Sequence, residues 1–135
     1  MTAHAMDDES TLLAVKQYFA KPAEKLIVAY VFGSVARHTS RPTSDVDIAI
    51  LYATPPSPSV SGPTAKMQAE LEELLGRPVQ LVVLNEAPID LVHRVLRDGE
   101  IVYESDRRAR IGFEVAARRQ QLDLLPILRR YRRSV

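Results

Sequence analysis

Apolar residues follow two different spacings along this chain, and together the spacings predict nine elements. Apolar runs occupy residues 26–32, 46–52 and 79–84, continuous in the first and interrupted only by Asp47 and Gln80 in the other two, a pattern typical of strands buried on both faces. Apolar residues at helical intervals separate these runs, and a short strand at 101–103 follows a turn signal. The predicted order alternates helix and strand, beginning and ending with a helix. We therefore expect an α/β fold, a small mixed or parallel sheet with helices packed on it and the three long runs as its central strands.

Polar and breaking residues predict where the helices begin and end. Ser10 or Thr11 is the expected N-cap of the first helix, and Asp106 that of the last. Pro126 is expected to kink or split the last helix. Residues 54–63 (TPPSPSVSGP) hold four prolines, so we expect a surface loop within the domain that cannot join a helix or a central strand.

Length and composition limit the class of protein. The 135 residues are 46% hydrophobic and 26% charged, which is typical of one globular domain spanning 1–135. The chain has no cysteine, which excludes disulfides, thiolate zinc sites and cysteine nucleophiles and fits a reducing cytoplasm. No apolar run is long enough for a membrane span, and the acidic first ten residues do not resemble a signal peptide. We expect a cytoplasmic protein with no membrane partner.

The net charge of +1 conceals a division between an acidic body and a basic C-terminal helical segment. Residues 106–135 hold nine arginines and three acids, a net charge of +6, whereas residues 1–105 carry a net charge of −5. This asymmetry indicates a surface for a charged partner. The arginine pairs could contact RNA phosphates, but few aromatic residues accompany them, so base-stacking platforms are not expected. We favour a protein partner with an acidic groove over a nucleic acid.

Two carboxylates open the second predicted strand. Asp45 and Asp47 are two residues apart, so on a strand their side chains lie on the same face. Adjacent carboxylates at the end of an apolar strand repel each other unless a cation lies between them. Mg²⁺ prefers oxygen ligands and binds proteins through one or two carboxylates together with substrate phosphates. The pair therefore predicts a magnesium site.

A glycine–serine pair follows the first predicted strand directly. Gly33 allows the backbone to approach a phosphate closely, and the Ser34 hydroxyl together with nearby backbone N–H groups can bind the phosphate oxygens. Arg37, one turn further along, can reach the same phosphates. Either motif alone is typical of an ordinary turn or strand start. Their combination, with ten residues between Ser34 and Asp45, favours a metal-bridged triphosphate site.

The pattern Gly33-Ser34-x10-Asp45-x-Asp47 resembles the signature of the polymerase-beta-like nucleotidyltransferase superfamily. The small size is similar to that of its minimal form, the MNT domain. Residues 74–85 and 96–103 resemble the third strand and the closing turn and strand of that domain. The arginine-rich tail is similar to that of MNT antitoxins, which pair with HEPN ribonuclease toxins. The resemblance covers nearly the whole chain.

The resemblance implies an activity and a set of roles. Asp45 and Asp47 would be catalytic and hold Mg²⁺, and Gly33, Ser34 and Arg37 would bind the nucleotide. AMP would pass from ATP to a tyrosine hydroxyl of the partner toxin and silence it. The small size independently favours a macromolecular acceptor, because little chain remains to enclose a small one. Homo- and hetero-oligomers are both compatible with this hypothesis.

One position departs from the family pattern. Gln80 stands where the family has a third carboxylate, which would hold a second metal ion and accept the proton of the attacking hydroxyl. Glu86, just past the third strand, is a candidate substitute base. The chain is then either a slow enzyme or an antitoxin that neutralises the toxin by binding alone. Transfer to a small-molecule hydroxyl is a third, less favoured hypothesis.

Overall fold

The nine expected elements form in the expected order. A computed structural model describes residues 7–21, 25–41, 43–54 and 62–133, with side chains as far as residue 120. The elements are α1 (Asp8–Phe19), β1 (Leu26–Phe32), α2 (Gly33–Ala36), β2 (Val46–Tyr52), α3 (Gly62–Leu75), β3 (Val79–Val83), α4 (Ile89–Asp98), β4 (Glu100–Glu104) and α5 (Arg107–Arg133).

The four described strands form one mixed sheet in the order β3-β2-β1-β4. Strand β1 is antiparallel to β2 and β4, and β2 is parallel to β3. The mixed sheet is as expected, but the placement of 79–84 as a central strand is wrong, since β3 lies at the edge of the described sheet. Its burial explains the difference: β3 includes the exposed Gln80, whereas β1 and β2 are buried almost throughout.

Helices cover both faces of the sheet and bury a separate core on each. On one face, α1 and α3 contribute Val15 and Leu71 against Ile48 and Ile50 of β2. On the other face, α4 and α5 pack on the remaining side chains of the same strands, with Val95 among the buried residues. Because side chains alternate along a strand, Asp47 lies on the face covered by α4 and α5.

The helix ends correct two expectations and confirm one. The N-cap of α1 is Asp7, whose Oδ1 accepts a 2.7 Å hydrogen bond from the backbone N–H of Ser10, and Thr11 is instead buried in α1. Asp106 caps α5 as expected, accepting from the N–H of Ala109 at 3.0 Å. The predicted split at Pro126 does not occur, because α5 runs through it as one helix.

The proline-rich segment is only partly within the described structure. Residues 55–61 lie outside the described residues. The last two residues of the segment, Gly62 and Pro63, belong to the first turn of α3, contrary to the expectation that the segment cannot join a helix. Proline is tolerated there because backbone N–H groups in the first turn have no acceptor within the helix.

A partly buried polar cluster fixes the first half of α5 on the sheet. The Tyr30 hydroxyl of β1 donates to Glu114 at 2.7 Å, and Arg110 pairs with Glu114 at 3.0 Å and also with Glu104. Burial and the neighbouring Glu114 raise the pKa of Tyr30, so it remains a neutral donor. No helix within the described ranges is long and apolar enough to cross a membrane.

Candidate functional site

The C-terminal end of β1 and the N-terminal ends of β2 and β3 lie side by side and form the floor of a cleft. The register pairs Phe32 with Asp47 across β1 and β2, and Asp47 with Gln80 across β2 and β3. Helix α4 forms the opposite wall. The cleft has a volume of about 360 Å³. Its lining residues are Phe32, Gly33, Ser34, Arg37, Asp47, Gln80, Leu91, Arg94, Arg97 and Asp98.

Gly33 brings the backbone against the Asp47 carboxylate. Its φ of +73° lies in the left-handed region, which favours glycine. A Cβ at this position would lie 3.2 Å from the Asp47 carboxyl carbon and closer still to Oδ2. Ser34 follows in the single turn of α2 and lines the same cleft. The structure therefore brings the predicted glycine–serine pair together with one of the two predicted carboxylates.

The two carboxylates occupy different environments. Asp47 is half-buried, and Asp45 lies exposed immediately before β2, outside the cleft lining. Burial raises the pKa of Asp47, the nearby charge of Asp45 raises it further, and Arg94 and Arg37 oppose the shift. Neither carboxylate has a salt-bridge partner among the described residues. As far as the structure describes the chain, it thus holds two interacting carboxylates without a side-chain counterion in contact.

Three arginines line the same cleft as Asp47. Arg37 follows α2 and lines the cleft as predicted, and α4 adds Arg94 and Arg97. Arg97 is bound by Asp98 through two hydrogen bonds of 3.0 Å. The two α4 arginines were missed from the sequence. Helical spacing from Leu91 shows which residues share a face of α4. Only the folded structure shows that this face lies against the end of β2 that carries Asp47.

Gln80 lies beside Asp47, and Glu86 does not. Gln80 is exposed in the cleft, paired in register with Asp47. Glu86 lies in the turn after β3, at the opposite end of that strand, and lines a separate cleft beside α5. The suggestion that Glu86 replaces the missing carboxylate as a base is therefore wrong, because the length of β3 separates it from the site.

Arg77 positions the segment that carries Asp45. Its side chain is 4% exposed and donates to the Ser44 carbonyl at 3.0 and 2.7 Å and to the Arg41 carbonyl at 3.1 Å. These bonds fix the backbone directly before Asp45. This role was not predictable from the sequence, because Gly76-Arg77-Pro78 resembles an ordinary helix stop.

The donor set fits a divalent cation that also has non-protein ligands. Within the described residues, no group of three or more His, Cys, Asp or Glu side chains is placed to hold a metal ion. Asp47 and Asp45 supply carboxylate oxygens on one side of β2. Mg²⁺ keeps several waters and completes its shell with substrate phosphates, so two carboxylates are sufficient. A cation there would also relieve their mutual repulsion.

Comparison with known proteins places these residues in context. The sequence model of the family described as polymerase beta, nucleotidyltransferase, matches residues 14–108, a range that contains every cleft residue. The search of curated proteins gives no significant match.

Solved structures share the fold over almost the whole chain. A toxin–antitoxin structure with AMP-PNP has a TM-score of 0.72 at 22% identity, covering 96% of this chain and 98% of that one. The toxin–antitoxin MntA-HepT gives 0.70 at 20% identity, covering 93% and 97%. A structure of tri-AMPylated Shewanella oneidensis HEPN toxin in complex with MNT antitoxin gives 0.69 at 20% identity, covering 94% and 97%.

The contact between Gly33 and Asp47 predicts the effect of adding one methyl group. Gly33→Ala incurs both the left-handed strain, about 1–2 kcal/mol, and the overlap with the carboxylate. Gly76 is the matched control, because its φ is +65° and a Cβ there meets nothing within 4 Å. Urea unfolding should show a larger loss of stability for Gly33→Ala than for Gly76→Ala. ATP titrations should show weakened binding for Gly33→Ala alone. Equal losses of stability and of ATP affinity in both variants would contradict the proposed importance of the contact between Gly33 and Asp47.

The raised pKa of Asp47 predicts a pH-dependent stability. A carboxyl group whose pKa is higher in the folded state than in the unfolded state stabilises the fold when it is protonated. For Asp47 this stabilisation is complete below the unfolded-state pKa of about 3.9, and it is lost as the pH rises through the folded-state pKa. Metal-free Asp47→Asn should therefore be more stable than wild type at pH 7, with the difference vanishing near pH 3. Urea unfolding in EDTA measures this. Glu73→Gln, on the exposed side of α3, is the control, and an Asp47→Asn variant no more stable at pH 7 would refute the expectation.

Proposed function

The chain belongs to the polymerase beta nucleotidyltransferase family and has its fold, and from this membership we propose that it transfers AMP from ATP to a hydroxyl of a partner HEPN toxin. The observation that carries the proposal is the half-buried Asp47 beneath the Gly33-Ser34 turn. A toxin tyrosine is the proposed acceptor, and neutralisation of the toxin is the proposed outcome.

The proposed transfer exchanges one phosphorus–oxygen bond for another. The acceptor oxygen forms a bond to the α-phosphorus of ATP, the bond from that phosphorus to the bridging oxygen breaks, and pyrophosphate leaves. The hydroxyl proton passes to solvent, because Gln80 cannot accept it. Mg²⁺ held by Asp45 and Asp47 would neutralise charge on the phosphate oxygens. Arg37 adds positive charge, and the Gly33-Ser34 backbone and hydroxyl orient the phosphates.

A macromolecular acceptor suits the open form of the cleft. Strand ends form its floor and α4 one wall, and the described residues leave the remaining side open to solvent, so an acceptor protein can supply the missing wall. The Shewanella oneidensis structure contains an AMPylated HEPN toxin with an MNT antitoxin, which supports the same partner class here. We propose that the exposed arginines of α5, including Arg107 and Arg118, contribute to binding that partner.

Gln80 favours a second candidate function. Because a neutral amide neither accepts a proton nor holds a second metal ion well, the chain could bind nucleotide and toxin without rapid transfer. Neutralisation would then result from direct binding. Phosphoryl-type transfer depends mainly on positioning and electrostatics, so we place slow transfer ahead of binding alone.

Intact-mass measurement of the toxin distinguishes these candidates. The full chain is incubated with a HEPN toxin, ATP and Mg²⁺. We expect the toxin to gain mass in AMP units, with the rate falling at least about a hundredfold in Asp47→Asn and staying unchanged in Glu73→Gln. Gln80→Asp should accelerate transfer by restoring a carboxylate beside Asp47.

Other outcomes would contradict the proposal. A stable complex that inhibits the toxin with no change in its mass would support neutralisation by binding alone. Modification of an aminoglycoside but not of the toxin would support a small-molecule acceptor.

A further inference from the structure

The charged groups of the cleft are not equally available to a nucleotide. Arg97 and Asp98 are bound to each other by two hydrogen bonds, so their charges largely cancel. Arg37 and Arg94 remain as the cationic side chains of the lining that have no salt bridge among the described residues. The carboxylate of Asp47 is the only other ionised group in the described lining.

The fold fixes the position of Arg94. Val92 and Val95 of α4 are 4% and 0% exposed and anchor the helix on the sheet. Arg94 lies between them on the face that Leu91 and Asp98 share, which lines the cleft. Its charge acts on Asp47 more strongly than that of Arg37. An exposed cationic side chain on a helix that is anchored on the sheet thus lines the same cleft as the Asp47 carboxylate.

A second divalent cation would need further negative charge beside Asp47, and the neutral Gln80 occupies that position. It lies beside Asp47 in the sheet register, and its amide oxygen is neutral. A second divalent ion would have to share Asp47 and the exposed Asp45 with the first, next to two guanidinium groups that form no salt bridge with any described residue. Phosphate oxygens need no such arrangement, because arginine binds them directly and often through two hydrogen bonds.

We propose that Arg94 binds the terminal phosphates of the nucleotide and that the cleft holds one divalent cation rather than two. This inference rests on the proposed nucleotide-dependent function and specifies how that site is charged. Arg94 takes part in no bond exchange; it binds the phosphates that leave as pyrophosphate. The cationic charge that a second metal would supply comes instead from a side chain of the protein.

Nucleotide titrations of the full chain test the role of Arg94. We expect Arg94→Ala to weaken ATP binding about tenfold and AMP binding by less than about threefold, since AMP lacks the terminal phosphates. The loss for ATP should persist in EDTA, and Arg94→Lys should be intermediate. Lys66→Ala, which changes an exposed cationic residue on α3 outside the cleft, should bind ATP as wild type does.

Counting bound Mn²⁺ by electron paramagnetic resonance in the presence of AMP-PNP tests the cation number. Wild type should bind one ion, and Gln80→Asp should bind two. Two tightly bound ions in wild type would overturn the inference, as would Arg94→Ala with ATP affinity within about twofold of wild type or with an equal loss for AMP. Failure of the wild-type chain to bind ATP at all would instead overturn the proposed function.

Discussion

The site depends on one steric constraint, the close approach of the Gly33 backbone to the Asp47 carboxylate. No side chain fits between them, and the left-handed φ of Gly33 turns the chain from β1 directly into α2. The same contact brings Ser34 and Asp47 together in the lining of the cleft. The backbone proposed to bind phosphate and the carboxylate proposed to bind a cation are therefore positioned by a single turn, and everything proposed for the cleft depends on that turn.

This arrangement has an energetic cost in the protein without ligands. Asp47 is half-buried with a second carboxylate nearby, and both effects raise its pKa. The arginines relieve the repulsion only in part, because Arg97 is already paired with Asp98. Strain of this kind is typical of sites that bind a cation or anion during function. The surrounding fold maintains it through the buried strands and through the hydrogen bonds of Arg77 behind the Asp45 segment.

The sequence was sufficient to predict the helices and strands and half of the candidate functional site. Apolar runs predicted β1 and β2, and the signature predicted that Gly33 and Asp47 lie together, because both motifs are local to a strand end. The edge position of β3 was not predictable, since strand order depends on long-range packing. Arg94 was missed for the same reason. Asp7 was not recognised as the N-cap of α1, because Ser10 and Thr11 are equally good capping residue types.

Paramagnetic broadening by Mn²⁺ tests most directly whether the Gly33–Asp47 turn binds a cation and a nucleotide together. Amide spectra of the isotope-labelled chain are recorded with AMP-PNP while Mn²⁺ is added in small amounts. The account predicts selective loss of the Gly33, Ser34 and Asp47 signals, abolished by Asp47→Asn, with the first turn of α3 unaffected. Broadening centred elsewhere, or unchanged by that substitution, would contradict it.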